Sequence, residues 1–327
     1  MATTVRASWK GWATSMPTPS RNWIDLMQTR CPITIFGEVL FDCFPDGTEV
    51  LGGAPFNVAW HLRGFGLSPF FVSRIGTDGH GDSIRSCMQS WGLESSFLQI
   101  DHSHPTGRVR VTIEHDEPQY DIVPESAYDF IQSSDVQQLP ATGLLYHGSL
   151  ALRHSASAAA LAALKAKHRG KIFLDVNLRS PWWSLESVLS LVDDADHVKL
   201  NAAELALLAT DETLAADDAS LTVAMHRFAE CHLLETLILT RGAQGALFWS
   251  GGEIVSIGPA APTHVVDTVG AGDGFAAAFL LGLSQQWPSL ESLAHARDFA
   301  AALVSRRGAI IDDRRVYEEF LNTWSHN

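Results

Sequence analysis

From residue 144 onward, short runs of consecutive apolar residues alternate with longer segments of helical periodicity. Leu144 to His147 predicts a strand, Ala156 to His168 an Ala/Leu helix and Lys171 to Val176 another strand. His197 to Leu200 and Leu237 to Thr240 repeat the pattern, the latter followed by a glycine turn and a further strand. Nearer the start, Ile33 to Val39 is a β-branched run broken by a glycine, which predicts the first buried strand. Thr106 to Glu114 alternates polar and apolar, with Val109, Val111 and Ile113 on one face. With Gln119 to Val123 and the segment around 40–51, which turns at Asp46-Gly47, it predicts a small sheet apart from the main one. Strand-then-helix repetition predicts an α/β fold, a doubly wound and mainly parallel sheet with helices on both faces.

The sharpest change of pattern is at Val265 to Leu281. A polar, glycine-rich turn, Asp267-Thr268-Val269-Gly270-Ala271-Gly272-Asp273, opens directly into a helix whose Phe275, Phe279, Leu280 and Leu283 recur at helical spacing. Unpaired N–H groups and the helix dipole make such an end a site for phosphate, and glycines let an anion approach. Asp273 is out of place there, since a carboxylate repels phosphate. Two readings fit: a helix-capping Asp, or a base that takes a hydroxyl proton while amides hold a phosphoryl group. A dinucleotide fingerprint wants glycine where Phe275 stands, and no Gly-Lys-Ser/Thr follows as a P-loop requires.

Polar residues gather where the predicted strands end, which is where ligands bind open α/β sheets. Asp42 lies just beyond the first strand; Gly52-Gly53-Ala54-Pro55-Phe56-Asn57 brings a glycine pair into a helix carrying an amide. Asp175-Val176-Asn177-Leu178-Arg179 ends a later strand. Asn201 and Glu204 share a helix face three residues apart, which suits a shared ligand and equally a capping pair. Thr240-x-Gly242-x-x-Gly245 reads by itself as a hairpin turn.

Charge narrows the partners. The 327 residues carry 37 acidic against 23 basic side chains, a net −14 that argues against nucleic acid or anionic membrane. No apolar run reaches membrane-spanning length. The four cysteines, Cys31, Cys43, Cys87 and Cys231, are far apart, and the 14 histidines include no second pair at ligand spacing. That spacing suggests neither a disulfide framework nor a zinc site, and points to reduced thiols in the cytoplasm. Residues 1–31 read as an N-terminal extension ahead of one domain over 32–327.

The Asp267 to Asp273 stretch resembles the Asp-Thr-x-Gly-Ala-Gly-Asp signature of the ribokinase/PfkB family of carbohydrate kinases. Gly37 to Asp42, Gly52 to Asn57, Asn201-x-x-Glu204 and Thr240-x-Gly242-x-x-Gly245 are similar, in family order, to its remaining motifs. The resemblance implies ATP-dependent phosphorylation of a sugar hydroxyl on a ribokinase-like fold. It implies Asp273 as catalytic base and the amides of Gly270, Ala271, Gly272 and Asp273 as anion hole. Asp42, Gly53 and Asn57 would hold the sugar, with Arg179 facing substrate or phosphate. Asn201 and Glu204 would organise Mg²⁺ around the ATP phosphates, Glu204 through water; Thr240, Gly242 and Gly245 would form the nucleotide turn. Arg307-Gly308-Ala309 would flank adenine beside a monovalent cation such as K⁺. Strands from about 40–51 and 106–123 would form a lid over the sugar and the surface of a homodimer. The motifs look most like those of bacterial fructokinases, which implies fructose converted to fructose 6-phosphate. Kinases for 2-keto-3-deoxygluconate, aminoimidazole riboside or ribose are the alternatives, with a non-catalytic sugar-binding regulator behind them. Two departures stand out: Gly274, where fructokinases commonly carry Ser, and Phe56, whose bulk is expected to narrow the sugar pocket.

Overall fold

The computed structural model describes residues 31–325 apart from 115–116, 211–216 and 262–263. Apart from Cys31, the expected extension at 1–31 lies outside the described residues.

Among the described residues, nine strands form the main sheet. They are β1 (Ile33–Phe36), β4 (Phe70–Gly76), β5 (Leu98–Asp101), β8 (Leu144–His147), β9 (Lys171–Asp175), β10 (His197–Asn201), β11 (Thr236–Thr240), β12 (Ala246–Ser250) and β13 (Glu253–Ile257). Their order is β13-β12-β11-β10-β9-β8-β1-β4-β5, parallel from β11 to β5, with β12 and β13 antiparallel at the edge. The chain departs from β1 to β4 on one side and later to β8 on the other, so the order reverses at β1. At such a reversal the strand ends splay and leave a crevice.

Strand side chains alternate between the two faces of the sheet, where three cores form. Ile33, Ile35, Phe71, Tyr146, Phe173, Ile238 and Phe248 pack into one; Leu174, Val198, Leu200, Leu237, Leu239 and Leu247 pack into another, and Phe36, Val72 and Leu145 into a third. Period-two alternation puts the first group on one face and the others on the opposite face. The first face is covered by α1 (Ala54–Gly64), α2 (Gly79–Trp91), α7 (Ala271–Gln285), α8 (Ser289–Leu303) and α9 (Arg314–Trp324), and the second by α3 (Ser155–Lys167), α4 (Leu185–Asp193), α5 (Ala202–Leu208) and α6 (Asp218–Cys231). A sheet buried on both sides explains why its strands read as nearly continuous apolar runs.

Helix α7 packs against both α1 and α8 and is buried nearly all round, with Phe279, Leu280 and Leu281 fully enclosed. Each such side chain contributes about 1.5–3 kcal/mol by burial, so the helix that carries the glycine turn is held rigidly. A second sheet, order β3-β2-β6-β7, is built from β2 (Leu40–Cys43), β3 (Glu49–Gly52), β6 (Gly107–Glu114) and β7 (Glu117–Ile122). Phe44 to Thr48 closes the β2–β3 turn, with Gly47 at φ +83°.

Candidate active site

The N-terminus of α7 faces the carboxyl ends of β1, β8, β9 and β10. Gly270 caps it at φ +78°, and a Cβ at that position would lie 2.4 Å from Ala309 Cα, so only glycine permits this turn. Asp267 fixes the turn from below. Its Oδ1 accepts from Val269 N at 3.0 Å and its Oδ2 from Gly308 N at 3.0 Å, tying the glycine loop to the Arg307–Ala309 segment. Asp273 stands in the first turn of α7 and accepts no hydrogen bond from its own helix end, so the capping reading fails for it.

Asp273 is instead met by Asn57. The Asn57 Nδ2 donates to Asp273 Oδ2 at 2.7 Å across 216 residues of sequence. Asn57 reaches it because α1 starts hard against the end of β1. Gly53 caps α1 at φ +109°, where a Cβ would come within 2.8 Å of Glu38 O, and Gly37 leaves room for Pro55. The other polar atom of that amide, Asn57 Oδ1, is buried with no protein partner, as is Glu38 Oε2. Buried polar atoms normally find a partner, so these two acceptors are open to a water or a polar ligand.

The Asp273 charge acts on Glu38, and the Arg179 charge acts on Glu38, Asp42 and Asp273 alike. Burial pushes Asp273 up to about 6, opposed by the Asn57 hydrogen bond and by the charges of Lys199 and Arg179 and reinforced by Asp175. Burial likewise raises Asp42 to about 6 and Glu38 to about 7, and in each case the Arg179 guanidinium pulls the other way. Arg179 is exposed on the loop after β9, so its charge faces all three acids from the open side.

Beneath the turn lies an ion pair. Lys199 Nζ donates to both oxygens of Asp175 at 2.8 and 2.9 Å, and Tyr146 Oη donates to Asp175 Oδ2 at 3.2 Å. The two charged residues are register partners on β9 and β10, 2% and 6% exposed, on the face that looks toward α7. A Cβ on Gly272 would sit 3.5 Å from Lys199 Nζ, which places this ammonium directly against the glycine turn. Burial works against the Lys199 charge, but Asp175 holds its pKa above the usual value, so it stays cationic.

Asn201 and Glu204 form a complete capping box on α5. Glu204 N donates to Asn201 Oδ1 at 2.9 Å, and Asn201 N to Glu204 Oε2 at 2.9 Å. Glu204 Oε1 accepts from Leu178 N at 2.8 Å, which ties α5 to the loop bearing Arg179. The carboxylate is thus fixed in direction, and burial raises its pKa. Thr240 is the register partner of Asn201 one strand further along, and leads into the turn where Gly242 and Gly245 adopt φ +55° and +92°. Asn57 thus touches Asp273, the Arg179 charge reaches both Asp42 and Asp273, and Gly53 sits against Glu38, while Asn201 and Thr240 are paired at neighbouring strand ends with Glu204, Gly242 and Gly245 following them.

Both departures from the expected motifs have physical reasons. Phe56 does not narrow the site: it is fully buried, packed 5.8 Å from Phe71 and 5.9 Å from Trp60 between ring centroids, and belongs to the core under α1. A Cβ on Gly274 would meet Leu303 Cδ1 at 2.0 Å, so here a leucine fills the space that a serine would need.

The chain matches the pfkB family carbohydrate kinase profile over residues 42–315. It is 32% identical to a fructokinase of Klebsiella pneumoniae over 270 residues, covering 77% of this chain and 84% of that protein. A probable fructokinase-5 of Arabidopsis thaliana is 27% identical over 308 residues, 85% of this chain and 93% of that one. Among solved structures, the fructokinase of Vibrio cholerae O395 in its fructose, ADP and calcium ion bound form superposes with TM-score 0.78 at 25% identity, covering 91% of this chain and all of that one. An aminoimidazole riboside kinase of Salmonella enterica, complexed with aminoimidazole riboside and an ATP analog, gives TM-score 0.75 at 25% identity over 89% and 99%. With its signature turn, its nine-stranded sheet and these likenesses taken together, the chain belongs to the pfkB family of carbohydrate kinases and is an ATP-dependent sugar kinase.

Proposed function

We propose that the enzyme transfers the γ-phosphoryl group of ATP to the primary hydroxyl of fructose, giving fructose 6-phosphate and ADP. The observation that carries the site assignment is the 2.7 Å contact between Asn57 and Asp273 at the head of α7. It puts a carboxylate beside an amide that retains an unused acceptor, and both at the mouth of the N–H cradle of Gly270 to Asp273.

In this reading Asp42, Gly53 and Asn57 bind the sugar, and Arg179 faces the substrate from the loop above. Asp273 accepts the proton as the hydroxyl oxygen bonds to the γ-phosphorus and the bond to the β-phosphate oxygen breaks. A carboxylate near 6 is about nine-tenths ionised at pH 7, yet is a stronger base than an ordinary Asp. The helix N-terminus, with Lys199 behind it, stabilises charge on the transferring group. Thr240, Gly242 and Gly245 carry the nucleotide.

Glu204 suits an outer position around hydrated Mg²⁺. Both oxygens are held by N–H donors, and each keeps a lone pair for a metal-bound water, as a hard cation that sheds water reluctantly requires. When bound, Mg²⁺ supplies positive charge to the ATP phosphates. We further read the small sheet as a lid and homodimer surface, a monovalent cation such as K⁺ beside Arg307 to Ala309, and a cytoplasmic location, where the four free cysteines stay reduced.

Coupled ADP release over fructose, ribose, mannose, 2-keto-3-deoxygluconate and aminoimidazole riboside tests the substrate. Fructose is expected to give the highest kcat/KM. A higher value for another sugar overturns the assignment, and sugar binding without turnover on any of them favours a regulator.

A further inference from the structure

The end of the small sheet that lies next to α2 carries a group of side chains with no part in phosphoryl transfer. Cys43 ends β2, Glu49 begins β3 and His80 stands in the first turn of α2. Their donor atoms lie within 4.8 Å of one another. Glu49 Oε1 is the meeting point, 3.0 Å from His80 Nε2 and 3.8 Å from Cys43 Sγ.

We propose that Cys43, Glu49 and His80 form a binding site for a Zn²⁺-class divalent cation that staples the small sheet to the main body of the enzyme. A thiolate, a carboxylate and an imidazole are the donor types zinc takes, and with bonds of about 2.0–2.3 Å a tetrahedral ion sets its ligands about 3.5 Å apart. The two separations to Glu49 Oε1, 3.0 and 3.8 Å, bracket that value, and the thiol and imidazole lie within 4.8 Å of each other. The thiol and the imidazole both meet one carboxylate oxygen, so an ion that takes the place of the shared hydrogens can enter among the three donors as they draw together. Binding releases the Cys43 proton to solvent and requires the His80 proton on Nδ1. Thiolate and carboxylate then neutralise the two charges of the metal, with the Arg108 charge opposing and the Asp42 charge assisting from nearby.

The three ligands are already positioned. The β2–β3 pairing sets Cys43 opposite Glu49 in register. The Phe41 ring lies 4.6 Å from the His80 ring, and Asp78 caps α2 while accepting from Thr106 at the foot of β6. His80 is 21% and Glu49 48% exposed in their side chains, which leaves the fourth coordination position open to water. Such a site differs in place and donor chemistry from the Mg²⁺ position near Glu204. It also adjoins Asp42, so an occupied site ties down the strand that carries that residue.

The test uses full-length protein stripped of metal and titrated with Co²⁺. We expect one equivalent to give a near-ultraviolet thiolate-to-cobalt band and intense tetrahedral visible bands, both displaced by Zn²⁺. Cys43→Ser abolishes the thiolate band, and His80→Gln weakens binding beyond the 10–100-fold loss typical of a changed outer-shell partner. No thiolate band in the wild type, or one that survives Cys43→Ser and so belongs to another thiol, overturns the proposal. Alkylation mapping on the unmutated protein is independent of variant folding: Zn²⁺ should slow iodoacetamide at Cys43 at least about tenfold while exposed Cys231 reacts as before. Equal rates at Cys43 with and without Zn²⁺ refute it.

Discussion

Replacing Asn57 by alanine removes the one side-chain hydrogen bond that Asp273 receives among the described residues, and the consequence is read in the pH dependence rather than in the rate alone. The bond is 2.7 Å long, links a neutral amide donor to a carboxylate, and lies in a largely enclosed site. A hydrogen bond to a charged group under such conditions is worth about 1.5–3 kcal/mol. At 1.36 kcal/mol per pK unit this holds the acid about one to two units below where burial would otherwise take it. The sign is fixed: the donor favours the ionised form, so its loss raises the pKa from about 6 toward about 7–8. The base must be ionised to act, so the acid limb of kcat/KM moves up by the same amount. Between pH 8.5 and 6.5 the wild type should lose about 1.3-fold and the variant about 10-fold, taking 7.5 for the variant. Coupled ADP release across pH 5–9 measures both. An overall loss of kcat/KM is expected as well, because Asn57 is also assigned to the sugar, but a uniform loss leaves the limb where it was. An acid limb unmoved or displaced downward in Asn57→Ala refutes the reasoning.

Glu38→Gln tests the buried acid beside it. Its folded pKa, about 7, lies above the ordinary 4.5, so the folded state holds the proton more tightly and stability falls as pH rises from about 4.5 through 7. Urea denaturation should show the wild type losing about 2–3 kcal/mol more than the variant between pH 5 and pH 8, and equal losses would contradict the burial of this group. Gly270→Ala combines a left-handed φ of +78° with a Cβ 2.4 Å from Ala309 Cα. It should cost about 2–4 kcal/mol by denaturation and depress turnover, and a stable, active variant would show that the turn is not pinned there. Lys199→Met leaves Asp175 buried with only Tyr146 and should cost about 3–5 kcal/mol. Adding Asp175→Leu should recover most of that stability but not turnover, whereas recovery of turnover as well would remove Lys199 from the anion site.

How far the sequence foretold this arrangement differs from residue to residue. The strand runs were legible because a sheet covered on both faces needs mostly apolar side chains, and the glycine turn was legible because a left-handed, closely approached helix start needs glycine. Strand 144–147 and the helix over 155–167 fall where periodicity puts them. The link between Asn57 and Asp273 is not local: α1 and α7 pack side by side only after the sheet forms, and nothing in either segment names the other. Lys199 was hidden for a different reason. It lies inside a strand run with no acidic neighbour in its own segment to pair it, and only the register of β9 with β10 shows that Asp175 neutralises it. The Asp267 to Gly308 bond spans 41 residues and was equally invisible. Phe56 misled because its neighbours in sequence, Gly53 and Asn57, belong to the candidate site. A helix turns residues 56 and 57 about 100° apart, so Asn57 can face the site while Phe56 faces the core.

The most direct measurement of the central claim is single-turnover and steady-state phosphoryl transfer by Asp273→Asn, with ATP binding followed in parallel. The substitution keeps the shape and the acceptor that Asn57 uses but removes the proton-accepting charge. Nucleotide affinity within about 3-fold of wild type and turnover reduced about 10²-fold or more are expected. Turnover close to that of the wild type would contradict the assignment of Asp273 as the base.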